Sequence, residues 1–589
     1  MLSKNEGLFM YNEKTDNPKD LKKFYSGDWC FFSEAKLRDF EKEKNNIFNI
    51  RSNKDKINLE VERQKLYFCR VLKKKLNYLH NKNYSLKFWK FLLDPWILYF
   101  LDSYITKWMI VEYFDNKFDK IYFYKYSNLK KYNFFDVRNY KKEFDENDDF
   151  HIKQFQNVLE FKSKTNKKFI PKENNQSFYS EKKNNKFGFI FFFSKLFSKF
   201  CNFFLKKNNY FIFNASVGII NYIFLNLKLK QIPKLIFPEF NKFNYLKIYN
   251  KKISSDKRSY LIFEKSPTDN DLRKFLAFII QSEIPECYIE KFDILINESK
   301  NISIKPRIII NSNELLHNTL FKFWAAIMQE ENNSLIVYPD HGGTLGICEH
   351  DLLEYIDYRF SWHEKIENCD VQVPSFNLSR SLDIRANKLS DKILFITCNR
   401  KKYYHSFYNS PLGIENIDAV KKFENLYNHL SAAIQEKLYL KTYTEDDQNY
   451  WIKNSSWLKD CNLANIIKTK DTYKKIFKNS KIVICSYPKT ALCEAMVSGP
   501  TIILFDKDQW AQRNEFLEIF KQLKNVKIFF DDPMLAAEHI NNIWIDPYEW
   551  WNSKEVRKVR EKFIKTFALV KPNPIDDWLK EIKKINNKI

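Results

Sequence analysis

Glycine is scarce in this chain: nine residues among 589. That scarcity excludes long flexible glycine-rich linkers. Neither GxGxxG nor GxxxxGK[ST] occurs, so a dinucleotide fingerprint and a P-loop are both absent. The ten cysteines (Cys30, Cys69, Cys201, Cys287, Cys348, Cys369, Cys398, Cys461, Cys485, Cys493) form no CxxC or other metal spacing. Several lie in apolar runs, as reduced core thiols do, which points to a cytoplasmic protein without disulfides. The N-terminal stretch MLSKNEGLFMYNEKTDNPKD has no apolar core of a secretory signal. No run reaches the ~20 uninterrupted apolar residues of a spanning helix. The nearest, FGFIFFFSKLFSKFCNFFL at 187–205, is broken by Lys195 and Lys199, so a soluble or peripheral protein is expected.

What the chain has in plenty is length, aromatic residues and positive charge. At 589 residues it exceeds one hydrophobic core, and two or more domains are expected. With 44% of the chain hydrophobic and 17% of it aromatic, burial is ample and wholesale disorder is excluded. The 98 Lys and Arg against 73 Asp and Glu leave +25, which favours an anionic partner: nucleic acid, lipid headgroups or a phosphorylated substrate. The positive charge is dispersed, and no RNP, helix-turn-helix or zinc pattern accompanies it, which argues against nucleic acid.

Apolar residues recur at helical spacing over 55–113, in a helix followed by a longer buried pair that Pro95 is expected to break. Residues 115–260 read as a variable, insert-bearing region, partly loop. From about 290 short apolar strands alternate with helices. Strands are predicted in RIIINSN (307–313), SLIVYPD (334–340), DYRFSWH (357–363), ILFITCN (393–399), KLYLKTY, KIVICSY (481–487) and PTIILFD (500–506). Helices are predicted in LLHNTLFKFWAAIMQEE, 416–437 and 489–498. Such alternation indicates parallel sheets covered on both faces. Two sheets are expected, one ending near 385 and one beginning near 391.

Three of the nine glycines, Gly342, Gly343 and Gly346, sit within PDHGGTLGICEHD, just past a predicted strand. Ligands bind at the carboxyl ends of strands in open α/β sheets, and glycine permits positive φ or a close backbone approach. Asp340, His341, Glu349 and His350 flank them, and a tight capped turn is the alternative. In VICSYPKTALCEAMVSGPTIILFD (483–506), a strand ends at Ser486-Tyr487 and a helix begins near Lys489-Thr490. A helix N-terminus with Ser486, Lys489 and Thr490 at its mouth suits a phosphate, and Glu494, one turn in, suits a sugar hydroxyl. As structure alone these are an N-cap and a first-turn carboxylate, and both readings stay open. Lesser candidates are Asn399-Arg400, Gln509 and Arg513 within DKDQWAQR, and Trp362-His363. The nearest approaches to DxD, at 446–448 and 505–509, are weak, so no metal site is assigned.

The segments GDWCFF, YSLKFWKFLLDPWILYFLDSYITKW, NELLHNTLFKFWAA, DHGGTLG, RFSWH, 483–513 and AAEHINNIWIDPYEWWNSKEVRKVREKFIKTFA occur in that order. Together they resemble a bacterial family of surface-polysaccharide transferases associated with O-antigen gene clusters. The resemblance spans nearly the whole chain, least at 115–260. It implies an α/β fold similar to GT-B glycosyltransferases, with two facing Rossmann-like domains. An acceptor-side domain would occupy 1–388, its Rossmann-like part 290–388. A nucleotide-sugar-binding domain would occupy 389–549, and the helices of 550–589, chiefly 553–569, would cross back. The Glu494…Gly499-Pro500 pattern is similar to the family's donor-site helix, one residue shorter than E-x-x-x-x-G-x-P. The family's usual Gln where this chain has Asp340 leaves His341 the stronger catalytic candidate, beside Asp340 and Glu349. The donor site implied comprises Gly342, Gly343, Asn399, Arg400, Ser486, Tyr487, Lys489, Thr490, Glu494 and Gln509. The partners implied are a nucleotide sugar, CMP-linked acidic sugars included, and a glycan or lipid-linked acceptor at the inner face of an anionic membrane. No cofactor is implied. A GT-B-shaped polyol-phosphate transferase and a non-catalytic scaffold of the same pathway remain as alternatives.

Overall fold

In a computed structural model of the chain, residues 6–11, 21–30, 51–130, 132–174, 209–234, 240, 256–261, 263, 270–312, 314–342, 354–383, 390–397, 403, 415–441, 473–506, 510 and 513–588 are described. They form three parallel sheets, one more than the sequence reading expects.

The additional sheet is N-terminal. Strands β1 (Glu6–Met10), β2 (Lys22–Tyr25), β3 (Lys120–Tyr126) and β4 (Phe169–Asn174) lie in the order β2-β1-β3-β4. Two of them fall in the stretch expected to be partly loop. KIYFYKY of β3 alternates at the strand period, and its Ile121, Phe123 and Tyr126 are buried. Pro171 is tolerated in β4 because that strand lies at the edge, where no neighbour needs its missing N–H. Helices α1 (Arg51–His80) and α2 (Leu86–Lys117) connect β2 to β3. Helix α2 continues through Pro95, where a break is expected. A proline inside a helix costs about 3 kcal/mol, and burial of Trp89, Phe91, Trp96 and Phe100 on the flanking turns outweighs that. Helices α3 (Val137–Glu146) and α4 (Asp148–Thr165) complete this layer, each with an Asp or Asn at its N-cap.

The middle sheet runs β5 (Tyr210–Ile212), β6 (Ile308–Ile310), β7 (Leu335–Pro339), β8 (Tyr358–Ser361) and β9 (Asp370–Gln372), in chain order across the sheet. Its strands are buried on both sides. Ile309, Ile336 and Tyr338 point into a core shared with the N-terminal layer, together with helix α5 (Thr319–Asn332). Ile308, Ile310, Val337 and Phe360 point the other way. That second face is closed by helix 219–228 and by the chain's final helix, which returns over more than two hundred residues.

The third sheet has β10 (Ile393–Ile396), β11 (Leu438–Lys441), β12 (Ile482–Cys485), β13 (Thr501–Leu504) and β14 (Phe529–Phe530), in the order β11-β10-β12-β13-β14. This is a doubly wound order whose direction of winding reverses between β10 and β12. Helices α6 (Thr490–Ser498), α7 (Leu517–Asn525) and α8 (Lys554–Phe567) cover one face, helices 415–429 and 533–543 the other. The sequence reading sends 553–569 back to the first half. Instead Val556, Phe563 and Phe567 of α8 pack into the core of the third sheet. The return to the middle sheet is made only at the C-terminal end of that segment, Thr566–Leu569: Leu569 N donates to Trp362 O (3.0 Å), Glu364 N to Thr566 O (2.7 Å) and Ser375 N to Leu569 O (3.0 Å). Helix α9 (Pro574–Asn586) then lies on the middle sheet, with Trp578 against Phe360 and Phe376.

Candidate functional site

The carboxyl ends of the middle and third sheets meet. A Cβ built on Gly342, three residues past β7, would stand 3.4 Å from Thr490 Oγ1 at the start of α6. Among the described residues the only glycine with positive φ is Gly218, so Gly342 serves the close approach rather than a left-handed turn.

On the third-sheet side, Ser486 follows β12 at the point where the winding reverses, its N–H bonded to Ile396 O at 3.0 Å. Its hydroxyl makes no hydrogen bond among the described residues. Tyr487 is buried and lies near-parallel to Trp510, their ring centroids 6.4 Å apart. Lys489 takes the N-cap position of α6, and its own side chain makes no capping hydrogen bond. Its Nζ stands 6.0 Å from the Trp510 ring centroid. The N-terminus of α6, with Lys489 and Ser486 next to it in the chain, thus lies against Gly342, and a helix N-terminus is an end that favours an anion. Glu494 is half-buried one turn along, and burial pushes its carboxyl up to about 7.

On the middle-sheet side the two adjacent candidates separate. His341 is exposed beside Gly342, with Nδ1 3.4 Å from the Tyr338 hydroxyl. Partial desolvation of the ring lowers its pKa below the ordinary histidine value, so the imidazole is neutral at pH 7. Asp340 instead is buried, facing away from solvent. Its Oδ2 lies 3.6 Å from His363 Nε2, Oδ1 has no hydrogen-bond partner among the described residues, and burial pushes the carboxyl up to about 7. Of the other predicted residues, Gly343, Glu349, His350, Asn399, Arg400 and Gln509 lie outside the described residues, as does the basic stretch 187–208. Among the described residues no three His, Cys, Asp or Glu side chains cluster as a metal site would require.

Two residues the sequence reading passed over or ranked low join distant parts of the chain. Tyr403, beyond β10 by seven residues, is buried in the N-terminal layer. It stacks on His151 with centroids 3.5 Å apart and donates to Asp148 Oδ1 at 2.8 Å. His363 lies behind Asp340. No spacing rule finds either, because their partners come from distant parts of the chain. Trp362 packs with Leu378, Cys493 and Ala568 where both halves and the returning chain touch.

A family profile, that of the LIC12162 family transferases, matches residues 10–582. The chain belongs to this transferase family. No curated protein matches it. Among solved structures it is similar to one from Listeria monocytogenes described as a UDP-N-acetylglucosamine 2-epimerase, at 12% identity and a TM-score of 0.34. That match covers 64% of this chain and 96% of the other. The α/β character of this LIC12162 family transferase is read from its own three parallel sheets.

Proposed function

We propose that this transferase moves a glycosyl group from a nucleotide-activated donor to a cell-surface glycan or lipid-linked acceptor, in the manner of a GT-B enzyme. The observation that carries the reading is the approach of Gly342 to Thr490 at the start of α6. The donor phosphate rests on the α6 N-terminus, with Ser486, Lys489 and Thr490 as its donors. Those groups neutralise the charge that develops as the anomeric carbon–oxygen bond breaks, usually the largest catalytic contribution. The acceptor hydroxyl enters from the middle sheet and passes its proton to Nε2 of neutral His341. Its oxygen then bonds to the anomeric carbon. Glu494 takes a hydroxyl of the ribose or sugar.

The acceptor side has a feature suited to lipid-linked substrates. Helix 219–228 exposes Ile219, Ile220, Phe224 and Leu227, with Lys228 and Lys230 beside them. An apolar face rimmed by lysine fits an anionic membrane surface, each lysine adding about 1 kcal/mol. Among the described residues no helix is long and apolar enough to cross a membrane. Co-sedimentation with anionic but not neutral vesicles is the expected result, and equal sedimentation removes the membrane contact.

The function itself is tested with UDP-, GDP-, dTDP- and CMP-sugars screened for thermal stabilisation. A specific donor at 100 times its Kd adds about 2.7 kcal/mol. Lys489→Ala is expected to weaken that binding roughly tenfold, the loss of one charge-assisted contact. His341→Ala should leave binding intact and slow transfer by about 10²–10⁴. Folded variants that both transfer at the parental rate would refute the assignment, and a phosphorylated rather than glycosylated product would assign a polyol-phosphate transferase instead.

A further inference from the structure

The hydrogen bonds of the loop between β5 and helix 219–228 are one-sided. Its carbonyls are taken: Phe213 O accepts from Asn311 Nδ2 (2.5 Å), Asn214 O from Ser312 Oγ (2.6 Å), Val217 O from Asn221 Nδ2 (3.1 Å) and Gly218 O from Tyr222 N (2.9 Å). Its donors are not. The five consecutive N–H groups of Asn214, Ala215, Ser216, Val217 and Gly218 have no acceptor among the described residues. Buried backbone N–H groups are nearly always paired, and Ala215 and Val217 are core residues, 4% and 3% exposed.

The backbone is shaped to the same end. φ is positive at Asn214 (46°), Ser216 (59°) and Gly218 (76°), and at neither residue between them. Alternation of that sign turns successive N–H groups toward one side, the concavity in which proteins hold anions. Left-handed φ at Asn214 and Ser216 costs free energy, and the buried Asn311 and Ser312, just past β6, hold the loop in it. A cation stands at the same place. A Cβ added at Gly218 would overlap Arg380 Nη2, and Arg380 is exposed, with no hydrogen bond or ion pair among the described residues. Glu314 Oε1 accepts from Asn214 Nδ2 (2.7 Å), so that carboxylate engages a side chain and not the N–H groups of the loop.

The place is also close to the transfer gap. β5 and β7 belong to one parallel sheet with only β6 between them, roughly 10 Å apart at the spacing of paired strands. Arg380 begins the turn 380–383, which packs against α6. An acceptor whose hydroxyl reaches His341 therefore sets its neighbouring group at the β5 loop. We propose that the loop Asn214–Gly218 and Arg380 form an anion subsite for the acceptor, taking a phosphate or a carboxylate carried beside the reacting sugar. The loop N–H groups donate to the oxygens of the anion, and Arg380 pairs with its charge. That the anion belongs to an acceptor rests on the glycosyl-transfer reading; that the loop binds an anion does not.

Hydrogen exchange of the full chain, read by mass on peptides covering 213–220, tests this with inorganic pyrophosphate and with glucuronate. Unpaired N–H groups exchange quickly, and at nine-tenths occupancy their exchange slows about tenfold. Protection of 214–218 is expected with at least one probe, and which of the two protects tells phosphate from carboxylate. Arg380→Gln is expected to weaken that probe about tenfold, the loss of one charge-assisted contact, and Arg380→Lys less. Peptides over 486–494, at the start of α6, keep in Arg380→Gln whatever protection pyrophosphate gives them in the parent. No protection of 214–218 by either probe overturns the proposal, as does protection that Arg380→Gln leaves unchanged or removes equally from 486–494. Neither probe needs a nucleotide sugar, so loop protection in a protein that transfers no sugar would keep the anion site and remove only the glycosyl-transfer reading.

Discussion

A carboxyl oxygen buried without a donor costs free energy, and Asp340 Oδ1 is one. The consequence for stability has a definite sign. An unfolded Asp ionises near its ordinary 3.8, whereas the folded one holds its proton to about 7. Between those values the unfolded state gains charge that the native state cannot take up, so stability falls as pH rises and levels off above about 7. The loss is on the order of 4 kcal/mol. Asp340→Asn removes the titrating group. Its urea midpoint should match or trail the parent near pH 4.5 and exceed it at pH 8, and a pH-independent difference would show that the carboxyl is not held protonated. At this scale the sequence was partly readable. Asp340 and His341 are marked by the strand before them and the glycine after them, yet alternation sends one into the core and the other into the gap. Which was which depends on the pleat, and the supporting His363 and Asp370 come from neighbouring strands.

At the scale of elements, the strands from 308 to 504 other than β9 were legible because they are short, unbroken apolar runs that only a doubly covered parallel sheet can bury. The N-terminal sheet was not. EGLFM of β1 is too short to show a period, β2 is KKFY, and β4 carries a proline. Only β3 alternates, within a region whose lysines and asparagines resemble loop. The continuous α2 shows the converse: a local rule, Pro95 as a breaker, is overridden by burial on every side of the helix. Helix α9 illustrates what a non-local element contributes. Trp578 fills the space between Phe360 and Phe376 and donates from Nε1 to Pro374 O at 3.0 Å. Trp578→Ala should cost about 3–5 kcal/mol, through a cavity under the middle sheet. Urea unfolding checks this; a loss under 1 kcal/mol would mean that α9 merely rests on the surface there.

For the whole molecule, the decisive arrangement is how three sheets share their loops. The N-terminal layer and the middle sheet bury one continuous core, of which Tyr403 is a part. The returning chain bonds to Trp362 and Glu364 on one side while Cys493 of α6 packs against Ala568. These contacts fix the tips of β7 and β12 opposite each other, and the proposed transfer chemistry depends on that placement more than on any single side chain. Its most direct test is a cysteine pair, Gly342→Cys with Thr490→Cys, under mild oxidation with the joined tryptic peptides identified by mass. The account predicts rapid formation of that one cross-link, slowed by a bound nucleotide sugar occupying the gap. Failure of the two cysteines to join in the folded protein would contradict it.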